Sequence, residues 1–152
     1  MRRRLQWIGV AMVALAGCRA PSTGVEPGAD SSELAVAQFL GAARSEDLQA
    51  ISAVWGNDVA PARDRLDRRE LEQRLLIFTV CLRHDASRIG LARRGENGRT
   101  VHDVEMTQGE KNATVAFTTI RNTRSGRWYV EEFDLEAARP FCARSSGGGH
   151  GA

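Results

Sequence analysis

The chain has 152 residues and a formal net charge of +2, from 21 Lys plus Arg against 19 Asp plus Glu. Three of the basic residues crowd positions 2–4, so the remainder carries 18 against 19 and offers no cationic surplus for gripping nucleic acid. A chain of this size fits one domain with a single core, not two.

Arg2, Arg3 and Arg4 precede an uncharged, mostly apolar run from Trp7 to Ala16. A positive start followed by such a run is the pattern of a secretory signal peptide. Ten helical residues span only about 15 Å, half of a hydrocarbon core of roughly 30 Å, so the run is too short for a permanent span. It ends in Leu15-Ala16-Gly17-Cys18, which resembles the lipobox of bacterial lipoprotein precursors. The resemblance implies removal of residues 1–17 and a diacylglyceryl group on the Cys18 thiol, with palmitate-type acyl chains. One acyl chain binds a membrane marginally, whereas two or three hold it stably. Arg19 rather than Asp follows the cysteine. By resemblance to lipoproteins sorted in Gram-negative cells, the expected address is the periplasmic face of the outer membrane.

Residues 18–32, rich in Pro, Gly and Ser, are expected to form a flexible tether, and 33–143 a single domain. Residues 144–152 read as a disordered tail, which discounts His150 as a metal ligand. With Cys18 committed to lipid, Cys81 and Cys142 remain, and an oxidising compartment favours a disulfide between them. Closing a loop of about sixty residues would contribute about 4 kcal/mol in the chain-entropy model. Two separately buried thiols are the alternative.

The domain opens with helical spacing. Asp30 and Glu33 have capping-box separation, and Val36, Phe39, Leu40 and Ala43 follow at helical intervals. A second helix is expected over 46–55, with Ser45 as its N-cap and Leu48, Ile51, Val54 and Trp55 on one side. A third starts near Asp67, again with a capping-box partner at Glu70, and carries Leu71, Leu75, Phe78 and Leu82. The apolar run 75–82 also suits a buried strand, but its charged entry at 68–74 favours helix.

From Ser87 the period changes to two. A short strand is expected over 87–93, then Thr100–Thr107 with His102, Val104 and Met106 on one face. Ala113–Ile120, dense in β-branched residues, and Arg127–Leu135 complete the set, with Gly-bearing turns between them. The fold class is therefore α+β: N-terminal helices on an antiparallel sheet of four strands, or three if 87–93 does not pair. This order resembles the nuclear transport factor 2-like superfamily, on Val36-x-x-Phe39-Leu40, Asp47-Leu48 and Gly126-Arg127-Trp128-Tyr129-Val130. The resemblance implies a curved, cone-like sheet.

That superfamily hosts isomerases, dehydratases and cyclases as well as binding domains, so chemistry must be sought in the residues. His102, Asp103, Tyr129, Glu131, Glu132 and Asp134 are the candidates for a cavity. His102, facing inward with Val104 and Met106, is the weak candidate for a general base, and would need a carboxylate beside it. His84-Asp85 and His102-Asp103 spell a dipeptide of metal-dependent phosphohydrolases, but three histidines are too few for that site. Glu131 and Glu132 point to opposite faces of a regular strand. No metal site or cofactor is expected, and Trp55, Phe117, Trp128, Tyr129 and Phe133 read as core. The expected function is that of a lipid-anchored, non-enzymatic binding or accessory domain. Its partner would be a small apolar ligand, or an envelope protein docked on an apolar patch of the sheet. The alternative is a cofactor-free isomerase or hydrolase-like enzyme using His102.

Overall fold

The computed structural model describes residues 26–142. The expected signal peptide, Cys18 and the expected tail with His150 lie outside the described residues. In chain order come α1 (Ser32–Arg44), α2 (Leu48–Val54), a 3₁₀ turn at Ala62–Asp64, α3 (Arg68–Cys81), and four strands. These are β1 (Ala86–Arg94), β2 (Thr100–Gln108), β3 (Lys111–Arg121) and β4 (Trp128–Phe133), and α4 (Leu135–Cys142) follows.

Each helix starts where a short polar side chain captures an N–H that the helix cannot satisfy itself. At α3 this is Asp67, which accepts from the Glu70 N–H at 3.0 Å as the spacing predicts. The other two starts differ from expectation by small steps. Ser31, not Asp30, caps α1 through the Leu34 N–H at 3.1 Å. Asp47, not Ser45, caps α2 through the Ala50 N–H at 2.9 Å. Ser45 instead ends α1, and Glu46 turns the corner with φ +55.

Folded chain also begins before the expected boundary at residue 33. The Ala29 N–H donates to the Trp128 carbonyl at 2.9 Å and the Trp128 N–H returns to Ala29 at 2.8 Å. Arg127 fastens the same segment by donating to the Gly28 carbonyl at 2.7 Å and to the Asp30 carboxylate. The last expected strand stops at Phe133, because Asp134 accepts from the Ala137 N–H at 3.0 Å and starts α4.

The strands form an antiparallel meander in the order β1-β2-β3-β4. The expectation of a cone-like sheet is overturned by this order. β1 and β4 are its two open edges and do not meet, so the sheet neither closes nor wraps into a cone. The physical reason lies in burial. Along β1 every residue is exposed except Ile89, which is half-buried, and Leu91 is 96% exposed. The helices cover chiefly the apolar face of the remaining strands, with Ile89 the one β1 side chain packed on the core, and a sheet gains little by wrapping an edge that has almost no core to enclose.

Two bulges interrupt the ladders. On β1 the register runs from Ile89↔Val104 to Ala92↔His102, so Gly90 and Leu91 together face Asp103. On β4 it runs from Thr118↔Glu132 to Thr119↔Val130, leaving Glu131 as the extra residue. Glu131 therefore does not follow the regular alternation expected of it.

The core is aromatic. Phe39 of α1 meets Phe78, Phe117 and Phe133 at centroid distances of 5.6, 6.2 and 6.3 Å. Trp55 stands edge-on to Phe78 at 4.8 Å. Around them pack buried Val36, Ile51, Val104, Met106, Val115 and Val130. The Cys81–Cys142 disulfide joins the C-terminal ends of α3 and α4, with a Cα–Cα distance of 4.0 Å across a separation of 61 residues.

Candidate functional site

His102 faces inward with Val104 and Met106, as the alternation of β2 requires, and is 1% exposed. Both ring nitrogens have partners. Nδ1 lies 3.3 Å from the Gly90 carbonyl and Nε2 lies 3.0 Å from Ser32 Oγ. A carbonyl can only accept, so Nδ1 is the donor in that contact, and when the ring is neutral Nε2 is left to accept from the Ser32 hydroxyl. The neighbouring carboxylate, Asp103, points to the opposite face, where Arg93 donates to it at 3.2 and 3.4 Å. The His–carboxylate arrangement sought in the sequence is thus not among the described contacts of His102.

The remaining candidates are dispersed. Tyr129 is buried at the N-terminal segment, and desolvation raises its phenol above the ordinary value against the opposing pull of Arg127 and Arg63. Glu131, displaced by its bulge, accepts from Arg99 Nε and Nη2 at 2.5 and 2.8 Å. That pairing holds the Arg99 guanidinium above its usual value, chiefly by the hydrogen bond. Glu132 is exposed, and Asp134 is spent on the start of α4. His84 is buried with Nδ1 2.7 Å from the Leu82 carbonyl, while Asp85 accepts from the Gly109 N–H at 2.7 Å. Neither His-Asp dipeptide therefore builds a shared site. Among the described residues no group of three or more His, Cys, Asp or Glu side chains could hold a metal ion.

The space between helices and sheet is filled by the five-ring cluster, so Trp55, Phe117 and Phe133 act as core. The Trp55 indole N–H is satisfied by the Glu131 carbonyl at 3.2 Å. The sheet's outer face at β1 and β2 carries the exposed pairs Arg88–Glu105 and Arg93–Asp103, not an apolar patch. Exposed apolar side chains gather instead on α3, at Leu76, Ile77 and Val80, while β1 adds the single exposed Leu91. No helix among the described residues is long and apolar enough to cross a membrane.

A groove of about 610 Å³ runs between α1 and α2. Its floor is built from Gly41, Ala42, Ala50, Ala53 and Val54, with Gln38 and Gln49 along its sides. These side chains are too short to fill the gap between the helices, and a Cβ at Gly41 would touch nothing within 4 Å. Glu26 and Arg63 lie on its rim. Arg63 has Asp64 at 4.0 Å, the outer limit of an ion pair, with side-chain exposures of 37 and 61%. Sequence reading missed this groove because small residues on two helices leave no periodic signal of their own. It also missed Ser32, which it placed in the tether.

No family model and no curated protein matches the chain. Among solved structures, Bal32a from a soil-derived mobile gene cassette is 17% identical, over 74% of this chain and 96% of that one, with a TM-score of 0.36. An NTF2-like protein of unknown function from Cytophaga hutchinsonii is 10% identical, over 70% and 92% of the two chains, with a TM-score of 0.35. At that level the likenesses add nothing to what the fold itself shows.

Proposed function

We propose that the chain is a lipid-tethered envelope protein whose α+β domain holds a small anionic amphiphile in the groove between α1 and α2. The groove carries this reading. Its volume of about 610 Å³ falls within the roughly 300–1,000 Å³ of small-molecule sites. The apolar floor suits a single hydrocarbon chain. The Arg63 guanidinium, weakly engaged by Asp64, suits a carboxylate or phosphate head. Glu26 on the rim is eight residues from Cys18. An extended chain of that length spans at most about 29 Å, so a lipid on Cys18 would keep the groove within reach of a membrane surface.

A partner protein on the sheet is less well supported, because the charged pairs on its outer face disfavour apolar docking. The alternative, an isomerase or hydrolase-like enzyme using His102, lacks the carboxylate it needs beside that ring.

Titration with a fluorescent dodecanoic acid tests the reading. It should bind saturably at one site per chain. Ala53→Trp, which fills the groove, should abolish binding. Arg63→Ala should weaken it by about tenfold, the worth of one charge-assisted bond of about 1.5 kcal/mol. Affinity unchanged in Ala53→Trp would refute the groove as the site.

A further inference from the structure

We infer that a pocket between α3 and β4 is a binding site for a quaternary ammonium group, and that Arg74 occupies its aromatic wall when no ligand is present. The site is separate from the groove between α1 and α2 and shares no residue with it.

The aromatic cluster that fills the core reaches the surface between α3 and β4. There Trp55, Phe78 and Phe133 line a pocket of about 200 Å³. Phe78 and Phe133 are half-buried, so part of each ring is open. The Phe78 ring stands at 85° to Trp55 and at 74° to Phe133. Adjacent walls of the pocket are therefore nearly perpendicular, and a small round group seated against them can meet more than one ring. Ring faces carry the negative end of the aromatic quadrupole and attract a cation within about 6 Å of the centroid.

One cation already takes such a position. The Arg74 guanidinium carbon lies 6.0 Å from the centroid of the Trp55 ring. That distance is at the weak limit of the contact, and the Arg74 side chain is 52% exposed. It also donates to Glu70, one helical turn away, at 2.6 Å. Arg74 is thus a displaceable occupant, held by Glu70 as well as by the ring, and swinging outward it clears the face of Trp55.

Charge and hydrogen bonding select the class of cation. Glu131 and Glu132 both line the pocket. Glu131 is engaged by Arg99, while Glu132 is exposed and has no ion-pair partner among the described residues. A bound cation therefore has one carboxylate left to balance it. The walls offer few free acceptors, since the Glu131 carbonyl already takes the Trp55 indole N–H at 3.2 Å. A primary ammonium would bring three N–H donors out of water without partners, whereas a quaternary ammonium brings none. The pocket, at about 200 Å³, is smaller than drug-sized sites of roughly 300 Å³ or more. It suits a trimethylammonium group whose remaining chain leaves past Leu135, exposed at the lip.

The test is titration of choline chloride with the full-length chain, followed through the N-methyl proton resonance of the ligand. Ring currents should move that resonance upfield and saturate at one site per chain, which ion pairing with a surface carboxylate alone does not produce. The uncharged isostere 3,3-dimethyl-1-butanol should bind about tenfold more weakly. Arg74→Gln, which removes the resident guanidinium, should tighten choline binding by about threefold. Glu132→Gln should weaken it by about twofold. Trp55→Leu should abolish the upfield shift. Because removing a buried tryptophan can unfold the domain, the surface change Arg74→Gln is the deciding variant. No saturable upfield shift, equal affinity for the alcohol, or an Arg74→Gln chain that binds choline no more tightly than the parent would overturn the inference.

Discussion

β1 and β3 belong to one sheet but are built for opposite tasks. β3 buries Val115, Phe117, Thr119 and Ile120, and Phe117 stacks on Phe133 at 5.6 Å. β1 buries none of its side chains and exposes Leu91 almost entirely. It keeps its place by hydrogen bonds to β2 and by the Arg88–Glu105 and Arg93–Asp103 pairs. Exposed pairs of that kind contribute only about 0.2–1 kcal/mol each. Stability is therefore concentrated at the β3 side of the sheet, and β1 is free to depart from regular geometry, which it does at Gly90. An edge strand stripped of core duty can be shaped by what its backbone must hold, and here that is His102.

The largest break in this comparison is Phe117→Ala. It removes a ring that is 0% exposed and touches two others. A loss of about 4–5 kcal/mol is expected from the vacated volume and lost transfer energy, read by urea denaturation. Next comes the double change Cys81→Ser and Cys142→Ser. It releases a 61-residue loop and should cost about 3–4 kcal/mol, most of it through the unfolded state.

A smaller effect depends on pH. Tyr129 is raised above its ordinary 10.0 chiefly by desolvation. The folded chain therefore favours the neutral phenol, and its contribution to stability is complete below pH 10 and lost as pH rises through the higher folded value. Alkaline unfolding followed by circular dichroism should set in at higher pH in Tyr129→Phe than in the parent. Leu91→Ser should be the smallest, within about 0.5 kcal/mol of the parent. A large loss there would mean that β1 carries core energy after all.

Much of this architecture is legible in the sequence wherever one period or one cap dominates. Asp67 and Glu70 mark the start of α3 with nothing competing nearby. The alternation at His102, Val104 and Met106 assigns the inner face of β2. Legibility fails where two residues can do one job. Asp30 and Ser31 are both good caps, and only tertiary contacts of Asp30 with Arg127 decide between them. It fails again at α4, where Pro140 inside the helix hides a segment that Asp134 starts and the disulfide holds. The candidate site was half visible. Its histidine follows from the pleat, but its partners come from residue 32, seventy positions upstream, and from a bulge that no alternation reveals. Cone-like curvature was carried only by resemblance, and the open edges of the sheet exclude it.

Native mass spectrometry of the protein extracted from membranes tests the central claim most directly, because tether and ligand are weighed together. A chain that begins at an acylated Cys18 and carries one anionic amphiphile, displaced in Ala53→Trp, is the predicted species. An unacylated chain that still begins at Met1, recovered from the soluble fraction with an empty groove, would contradict it.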